Sequence, residues 1–570
     1  MSLLFMWLAF FPLTLIAAGA ADTQIAPLVD GLGEHSYSIE NCDSQAQAFF
    51  DQGLALYYGF RFPESLASFQ QASKLDPHCA MAPWGEALAI GPNPNSRYLG
   101  FPDDPKGEGL KAIRRAVKLA DAAPAKQREL IAALHLRYEG VKSAKRGSAK
   151  CDKDGTSSPT RSERDNLYSQ AMASLAQSNP GDTEILTLYT EALMTQSAWD
   201  YWTPDGKPRP GTENALQALN AALRIDLQHP GANHLFIHLL EDSLNPESAL
   251  PHAERLAEAM PNVGHMVHMP THIYIRTGHY QKAIDLNIRS IEAANRFLAA
   301  WGEHPVPMGV PSLSSSDRNH GSHATDFMHL AATLQGNFTA AHKYAEQLSG
   351  PVAKKIHAFG GFQRRYVKPR LTLRRFARWN ELLAMPLDDT LPPLVRGFET
   401  FTHGSALVNT GDLDNAQIAL TKLLKIAADP QTAKQRSWVN NADVLLRLAS
   451  HVLSAEIAVA QDQFDLAISE YEHAIRLEDG LNYMEPPEWN HPVRQELGAL
   501  LLELNRAAEA ETVFWEDLRR NPENGWALHG VWRSLVAQDK SLQADQLAVR
   551  FSAAWQSSDT TLHNGRAAAK

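Results

Sequence analysis

The sequence predicts an all-α solenoid of helical hairpins, on three observations: its length, a recurring order of small and large residues, and its composition. At 570 residues the chain exceeds what one compact core usually spans, so it must divide into domains or grow lengthwise by repetition. A repeat opening at Ala46 puts Gly53 eighth, Ser65 twentieth, Phe69 twenty-fourth, Ala72 twenty-seventh and Pro77 thirty-second. The same ruler laid from His491 puts Gly498, Ala510, Phe514 and Pro522 at places eight, twenty, twenty-four and thirty-two. Weaker copies run through Gly404 and Ala416, and through Ala467, Tyr471 and Ala474. Small residues are needed where two amphipathic helices cross closely, large ones fill the gap, and Pro stops the second helix. Each hairpin then buries its apolar stripe on its neighbours. With 44% hydrophobic residues, 21% charged residues and a net charge of −11, the chain is ordinary, mildly acidic globular material, which argues against a nucleic-acid partner.

This order of residues resembles that of tetratricopeptide (TPR) hairpins, and it divides the chain. Residues 1–20 read as a signal peptide: Met1 to Ile16 are apolar and uncharged, and Ala18-Gly19-Ala20 follows as a cleavage pattern. The n-region lacks Lys or Arg, so an uncleaved anchor stays open, although the run is short for a membrane span. The expected location is periplasmic or secreted, with no membrane span after cleavage. N-terminal hairpins are expected over 45–141, a polar loop over 142–163, central repeats over 164–350, a basic connecting helical segment over 351–395, C-terminal repeats over 396–556, and a disordered tail over 557–570. A Pro/Gly/Ser-rich stretch, Gly302 to Asn319, could fold over the repeats beside it. The basic run Arg364, Arg365, Lys368, Arg370, Arg374, Arg375 and Arg378 could attract an anion, but a solvated helix face explains it more cheaply. Export permits disulfides, and Cys42 with Cys79 brackets the first hairpin, while Cys151 sits in the polar loop. Three free thiols are the alternative.

The chemical signal lies in two successive repeats. His234, His238 and Glu241 fall at i, i+4 and i+7, hence on one helix face, and His265, His268 and His272 fall at i, i+3 and i+7, again on one face. His268 follows His234 by 34 residues and His272 follows His238 by 34, which is the TPR period. Equivalent positions of adjacent repeats are neighbours in space. In the next repeat His320, His323 and Asp326 occupy the corresponding region. In TPR proteins these places on the first helix face the concave groove, so the resemblance implies that the side chains share one cavity. Neutral imidazoles with carboxylates are a first shell for a divalent transition metal, Zn, Fe, Cu or Mn. A histidine cluster that is only hydrogen-bonded or pH-sensitive remains the other reading. Trp199, Asp200, Tyr201 and Trp202 lie one repeat earlier and could line the groove, although packing accounts for them, as it does for Tyr274 and Arg276.

Several stretches resemble a large family of exported bacterial TPR proteins without settled activity. They include Phe50-Asp51-Gln52-Gly53-Leu54, Trp199-Asp200-Tyr201-Trp202, His229-Pro230-Gly231-Ala232, Val267-His268-Met269-Pro270-Thr271-His272 and Pro492-Val493-Arg494-Gln495. The likeness covers nearly the whole mature chain, and it implies that the two histidine motifs and His320-x-x-His323 are shared features. Arg61-Phe62 and Asn490-His491 depart from the family pattern. No Gly-rich phosphate loop, nucleophile elbow, paired-cysteine zinc motif or nucleotide fingerprint is present. Three readings follow. In the first, a metalloenzyme (oxygenase, oxidase or hydrolase) uses Glu241 and Asp326 as ligands or general base on a small-molecule or peptide ligand in the groove. In the second, a scaffold holds a peptide or protein partner without catalysis. The third is a metal carrier or sensor.

Overall fold

A computed structural model describes residues 24–98, 102–104, 106–139, 160–203, 205–307, 320–489 and 491–568. The expected signal peptide, Cys151, the polar loop up to residue 159, Asn490 and most of the Gly302 to Asn319 stretch lie outside the described residues. Helices pair in sequence order into hairpins: Ser44–Tyr58 with Phe62–Leu75, Pro393–Asn409 with Leu413–Ala427, Ala442–Ala460 with Phe464–Asp479, Val493–Glu503 with Ala507–Arg520, and Gly525–Ala537 with Ser541–Ala554. The expected all-α, TPR-like solenoid is the architecture observed. Its small-and-large rule has a direct steric cause. A Cβ on Gly53 would stand 2.7 Å from the Phe69 ring, and one on Gly498 would stand 2.7 Å from the Phe514 ring. The eighth place must therefore be bare for the twenty-fourth to fill the crossing.

One apolar core runs from the N-terminal segment through the histidine-bearing helices, and a second fills the C-terminal repeats. The two halves close on each other. Trp526 Nε1 donates to the Thr333 carbonyl at 2.8 Å, Tyr280 Oη donates to the Pro522 carbonyl at 2.6 Å, and the Arg375 guanidinium lies 3.6 Å above the Trp526 ring. This closure carries the 480–491 loop to the central histidines. No helix among the described residues is long and apolar enough to cross a membrane.

Three expectations about the edges of the repeats can be set against the structure. The basic run is not a solvated face: on helices Gly360–Tyr366 and Lys368–Arg375, residues Arg364, Arg365, Lys368, Arg370, Arg374 and Arg375 are all buried. The segment is wedged between the two halves, where Arg374 meets Glu456 at 2.7 Å and Arg370 meets Glu399 at 3.4 Å. The tail is not disordered over 562–567. Leu562–His563 and Arg566–Ala567 pair as an antiparallel hairpin, because Asn564 and Gly565 both take the positive φ of a tight turn and Arg566 reaches Glu496 at 3.0 Å. Cys42 and Cys79 form a disulfide with their Cα atoms 4.9 Å apart.

Candidate metal centre

Four short helical pieces present the imidazoles: Pro230–Leu240, Gly264–His268, Pro270–Arg276 and His320–Leu334. The second and third read as one helix in the sequence. Pro270 has no N–H to continue the ladder, and the turn at Met269 is instead closed by His272 N donating to the Met269 carbonyl at 3.2 Å. Met269 keeps helical dihedrals (φ −50°, ψ −38°), so His265, His268 and His272 still share a face. The Pro230–Leu240 helix is capped by His229, whose Nδ1 accepts from Ala232 N at 3.2 Å.

The predicted residues resolve into two triads. His234, His238 and His265 bring one ligand nitrogen each to within 4.8 Å of one another, and His268, His272 and His323 do the same. Across the triads the ring centroids of His238 and His272 are 5.8 Å apart, and those of His265 and His268 are 6.2 Å apart. Each triad has one phenylalanine against all three rings: Phe60 at 4.5–5.7 Å from the first, Phe327 at 4.6–5.1 Å from the second. Trp199 adds an edge contact to His238 at 4.4 Å. These aromatic walls set the rings in apolar surroundings, which strengthen any charge interaction there.

Four of the six rings, His234, His238, His268 and His272, have the far nitrogen set against a protein acceptor, and this fixes which nitrogen faces inward. His234 Nδ1 donates to the Tyr58 carbonyl at 2.6 Å. His268 Nδ1 donates to Asn287 Oδ1 at 2.6 Å, and Asn287 is itself oriented because its Nδ2 donates to the Ala283 carbonyl at 2.8 Å. His238 Nδ1 meets Glu241 Oε1 at 3.1 Å, and His272 Nδ1 meets Glu241 Oε2 at 2.6 Å. One buried carboxylate thus holds a ring of each triad. The Nε2 atoms are left pointing at one another, His234 to His265 at 3.1 Å and His268 to His272 at 2.9 Å. Two nitrogens at about 2.0–2.1 Å from one ion are about 2.9 Å apart at a right angle and about 3.3 Å apart in a tetrahedron, so these spacings are those of neighbouring ligands on one cation.

Electrostatics agree with ligand-ready rings. Burial, reinforced by the neighbouring imidazoles, holds His234, His238, His265, His268 and His323 well below the ordinary histidine range, so all five are neutral at pH 7. His272 is the exception. Burial opposes its charge, but the carboxylates of Glu485 and Glu241 outweigh that and raise it to about 10. Without a metal, a proton on His272 therefore occupies the contact with His268, and a metal would take that proton's place.

Two members of the expected set stand elsewhere. Asp326 does not face the imidazoles: Lys368 Nζ is 2.9 Å from its Oδ1, Arg364 pairs with its Oδ2, and these cations hold it far below the carboxylate range despite burial. Its place as ligand or base is corrected to that of a counter-ion for the basic segment. His320 turns to Ser290 Oγ at 3.0 Å, with its ring 5.3 Å from His268, and lies at the margin of the second triad. Arg61, where the sequence departs from the family pattern, pairs with Glu64 at 2.7 Å and stacks on Phe297 at 3.9 Å, leaving its neighbour Phe60 to meet the rings.

Other residues of the site are not in the expected set, and of these only His229, in the His229-Pro230-Gly231-Ala232 stretch, has a sequence signal. Glu485 reaches His272 from the 480–491 loop and groups with Glu241 and His272. Its carboxyl is raised to about 7 by burial and by the Glu241 charge. A further group, His35, Glu184 and His229, stands behind Tyr58. Since His229 Nδ1 is an acceptor, its Nε2 carries the hydrogen and faces Glu184 at 3.4 Å, while His35 meets the same oxygen at 3.1 Å and Tyr58 Oη donates to the other. That carboxylate is held at about 2, burial being outweighed by these donors. The group is a hydrogen-bonded brace for Tyr58, whose carbonyl anchors His234.

A family model described as Tetratricopeptide repeat matches residues 401–430, the hairpin containing the expected copy through Gly404 and Ala416. No curated protein matches the sequence. Solved structures that align include the human IFIT1 dimer with m7Gppp-AAAA (13% identity, 90% of each chain, TM-score 0.30). Others are the P58(IPK) TPR domain (10% identity, 89% of this chain and 99% of that one, TM-score 0.21) and yeast Tom70 (10% identity, 89% and 90%, TM-score 0.28). At those scores the likenesses carry nothing about ligands. By its hairpins the chain is an all-α, TPR-like solenoid, and it carries a matched tetratricopeptide repeat at residues 401–430.

Proposed function

We propose that the chain binds transition-metal ions, one at each histidine triad, and uses the pair on a small molecule. The observation that supports this most is the convergence of three imidazole nitrogens in each triad to within 4.8 Å of one another. Five neutral imidazoles, a sixth, His272, that yields its proton to the ion, and nearby carboxylates suit Zn, Cu, Fe or Mn, and an ion of this class lowers the pKa of coordinated water. Glu241 and Glu485 are near enough to each other and to His272 to hold a proton released there. The Cys42–Cys79 bridge supports an oxidising compartment, periplasmic or secreted.

The test is calorimetric titration of chelator-treated, untagged protein with each of the four metals, repeated on His234→Ala and His268→Ala. Two saturable equivalents are expected for the native chain and one for each variant; no saturable binding of any of the four would defeat the proposal. A second reading, a scaffold with structural ions, is favoured by the burial of the rings, His234 and His268 being 0% exposed. In that case chelation lowers the unfolding temperature by many degrees, and oxidase and hydrolase substrate screens stay empty.

A further inference from the structure

The buried basic segment meets the centre at His323. Asp326 lies three residues after His323 on the His320–Leu334 helix, hence about one turn along the same face. Arg364 and Lys368 converge on Asp326, and the Asp326 charge also bears on Arg365, which in turn presses on His323. Three cations therefore stand around one carboxylate in a place shielded from water. Arg365 is nine-tenths buried and Arg364 more so. Among the described residues Arg365 Nε, Arg364 Nε and Arg364 Nη1 have no hydrogen-bond partner. Burial pulls Lys368 down to about 8, which still leaves it charged at neutral pH. Unpaired buried guanidinium N–H groups cost several kcal/mol unless an acceptor meets them, and an oxyanion is the acceptor that also offsets their charge.

We propose that Arg365, with the unpaired Nε and Nη1 donors of Arg364 and with Lys368, forms an oxyanion subsite against the His323 end of the imidazole centre, and that it seats the anionic group of a small carboxylate or phosphoryl substrate. The assignment of this anion as substrate rests on the metal-centre reading; the anion site itself does not. Asp326 supplies one counter-charge to three cations, and the net positive charge that is left favours one more negative group. The reacting end of such a molecule then points along the helix toward His323, His268 and His272.

The experiment is thermal unfolding of the full chain, at constant ionic strength balanced with chloride, titrated with inorganic phosphate and separately with acetate. It is run on native protein, Arg365→Met and Arg365→Lys, each metal-loaded and chelator-treated. The native chain should show a saturable rise of about 1–4 °C with at least one anion. A preference for phosphate or acetate identifies which oxyanion the subsite takes. Arg365→Met should lose at least tenfold in apparent affinity while unfolding no lower than native protein in chloride, because an uncompensated buried charge has gone. Arg365→Lys should keep part of the response. No saturable response to either anion overturns the proposal, as does an Arg365→Met response equal to native, or an Arg365→Met chain that unfolds several degrees lower in chloride while Arg365→Lys responds no better. If neither preparation retains metal but the Arg365-dependent response persists, the subsite stands and the metal-centre reading falls. If metal binds and the anions do nothing, only the present proposal falls.

Discussion

Replacing Glu241 by Gln should loosen both metal equivalents at once. The Glu241 carboxylate accepts from His238 Nδ1 at 3.1 Å and stands as counter-ion 2.6 Å from His272 Nδ1, so it bears on one ring of each triad. A Gln amide has one acceptor oxygen for these two donors, and its NH2 group would face the other ring. Loss of an outer partner of a ligating histidine costs about 10- to 100-fold in metal affinity, or about 1.4–2.7 kcal/mol, and here that cost applies to each site. Asn287→Leu is the control. Asn287 Oδ1 holds only His268, at 2.6 Å, so this change should weaken the second triad and spare the first. Competition against a chromophoric chelator reads both: two weakened steps for Glu241→Gln, one weakened and one native step for Asn287→Leu. Two native steps in Glu241→Gln, to within threefold, would refute the idea that this carboxylate positions the rings.

Three further outcomes follow from the same structure. Asp326→Asn should destabilise the fold by about 3–5 kcal/mol in urea unfolding, since it strands Arg364 and Lys368, yet leave metal stoichiometry unchanged; lost metal with native stability would return Asp326 to the ligand set. His529 is held down to about 4 by burial, and its Nδ1 accepts from Gly565 N at 3.0 Å, so the native state refuses a proton that the unfolded chain takes below 6.5. Its contribution is therefore present above pH 6.5 and lost as pH falls through about 4. The loss is at most about 3 kcal/mol, and His529→Asn should flatten that part of the pH–stability curve. Thiol titration of denatured, unreduced protein should find one free thiol of three, and reduction should cost about 4 kcal/mol from reopening a loop of 37 residues; three free thiols would remove the bridge.

The repeat register was the most legible part of the site. His234 with His268 and His238 with His272 recur at the period of the hairpin, and a period alone is enough to make equivalent side chains neighbours. What period cannot reach is contact made by closure of the solenoid. Glu485 arrives on a loop from the C-terminal repeats, and Tyr58 contributes a backbone carbonyl, so neither has a local pattern. The same closure explains the error over the basic segment. Arg374 finds Glu456 and Arg375 finds Gln495, partners far along the chain, where local reading sees only a row of charges suited to water. Asp326 shows the converse failure. It shares a helix face with His323, as its spacing implies, but the cations that claim it come from another segment. The ordered tail has only a two-residue signal, the Asn564-Gly565 turn, beside a composition that suits disorder.

The most direct test of the central claim is elemental analysis, with metal-edge X-ray absorption, of untagged protein purified without chelator. Two transition-metal ions per chain in a nitrogen-rich shell of about 2.0–2.1 Å are expected. Metal-free protein that also fails to take up Zn, Cu, Fe or Mn on reconstitution would contradict it, and would leave the six imidazoles as a proton-linked hydrogen-bond cluster centred on His272.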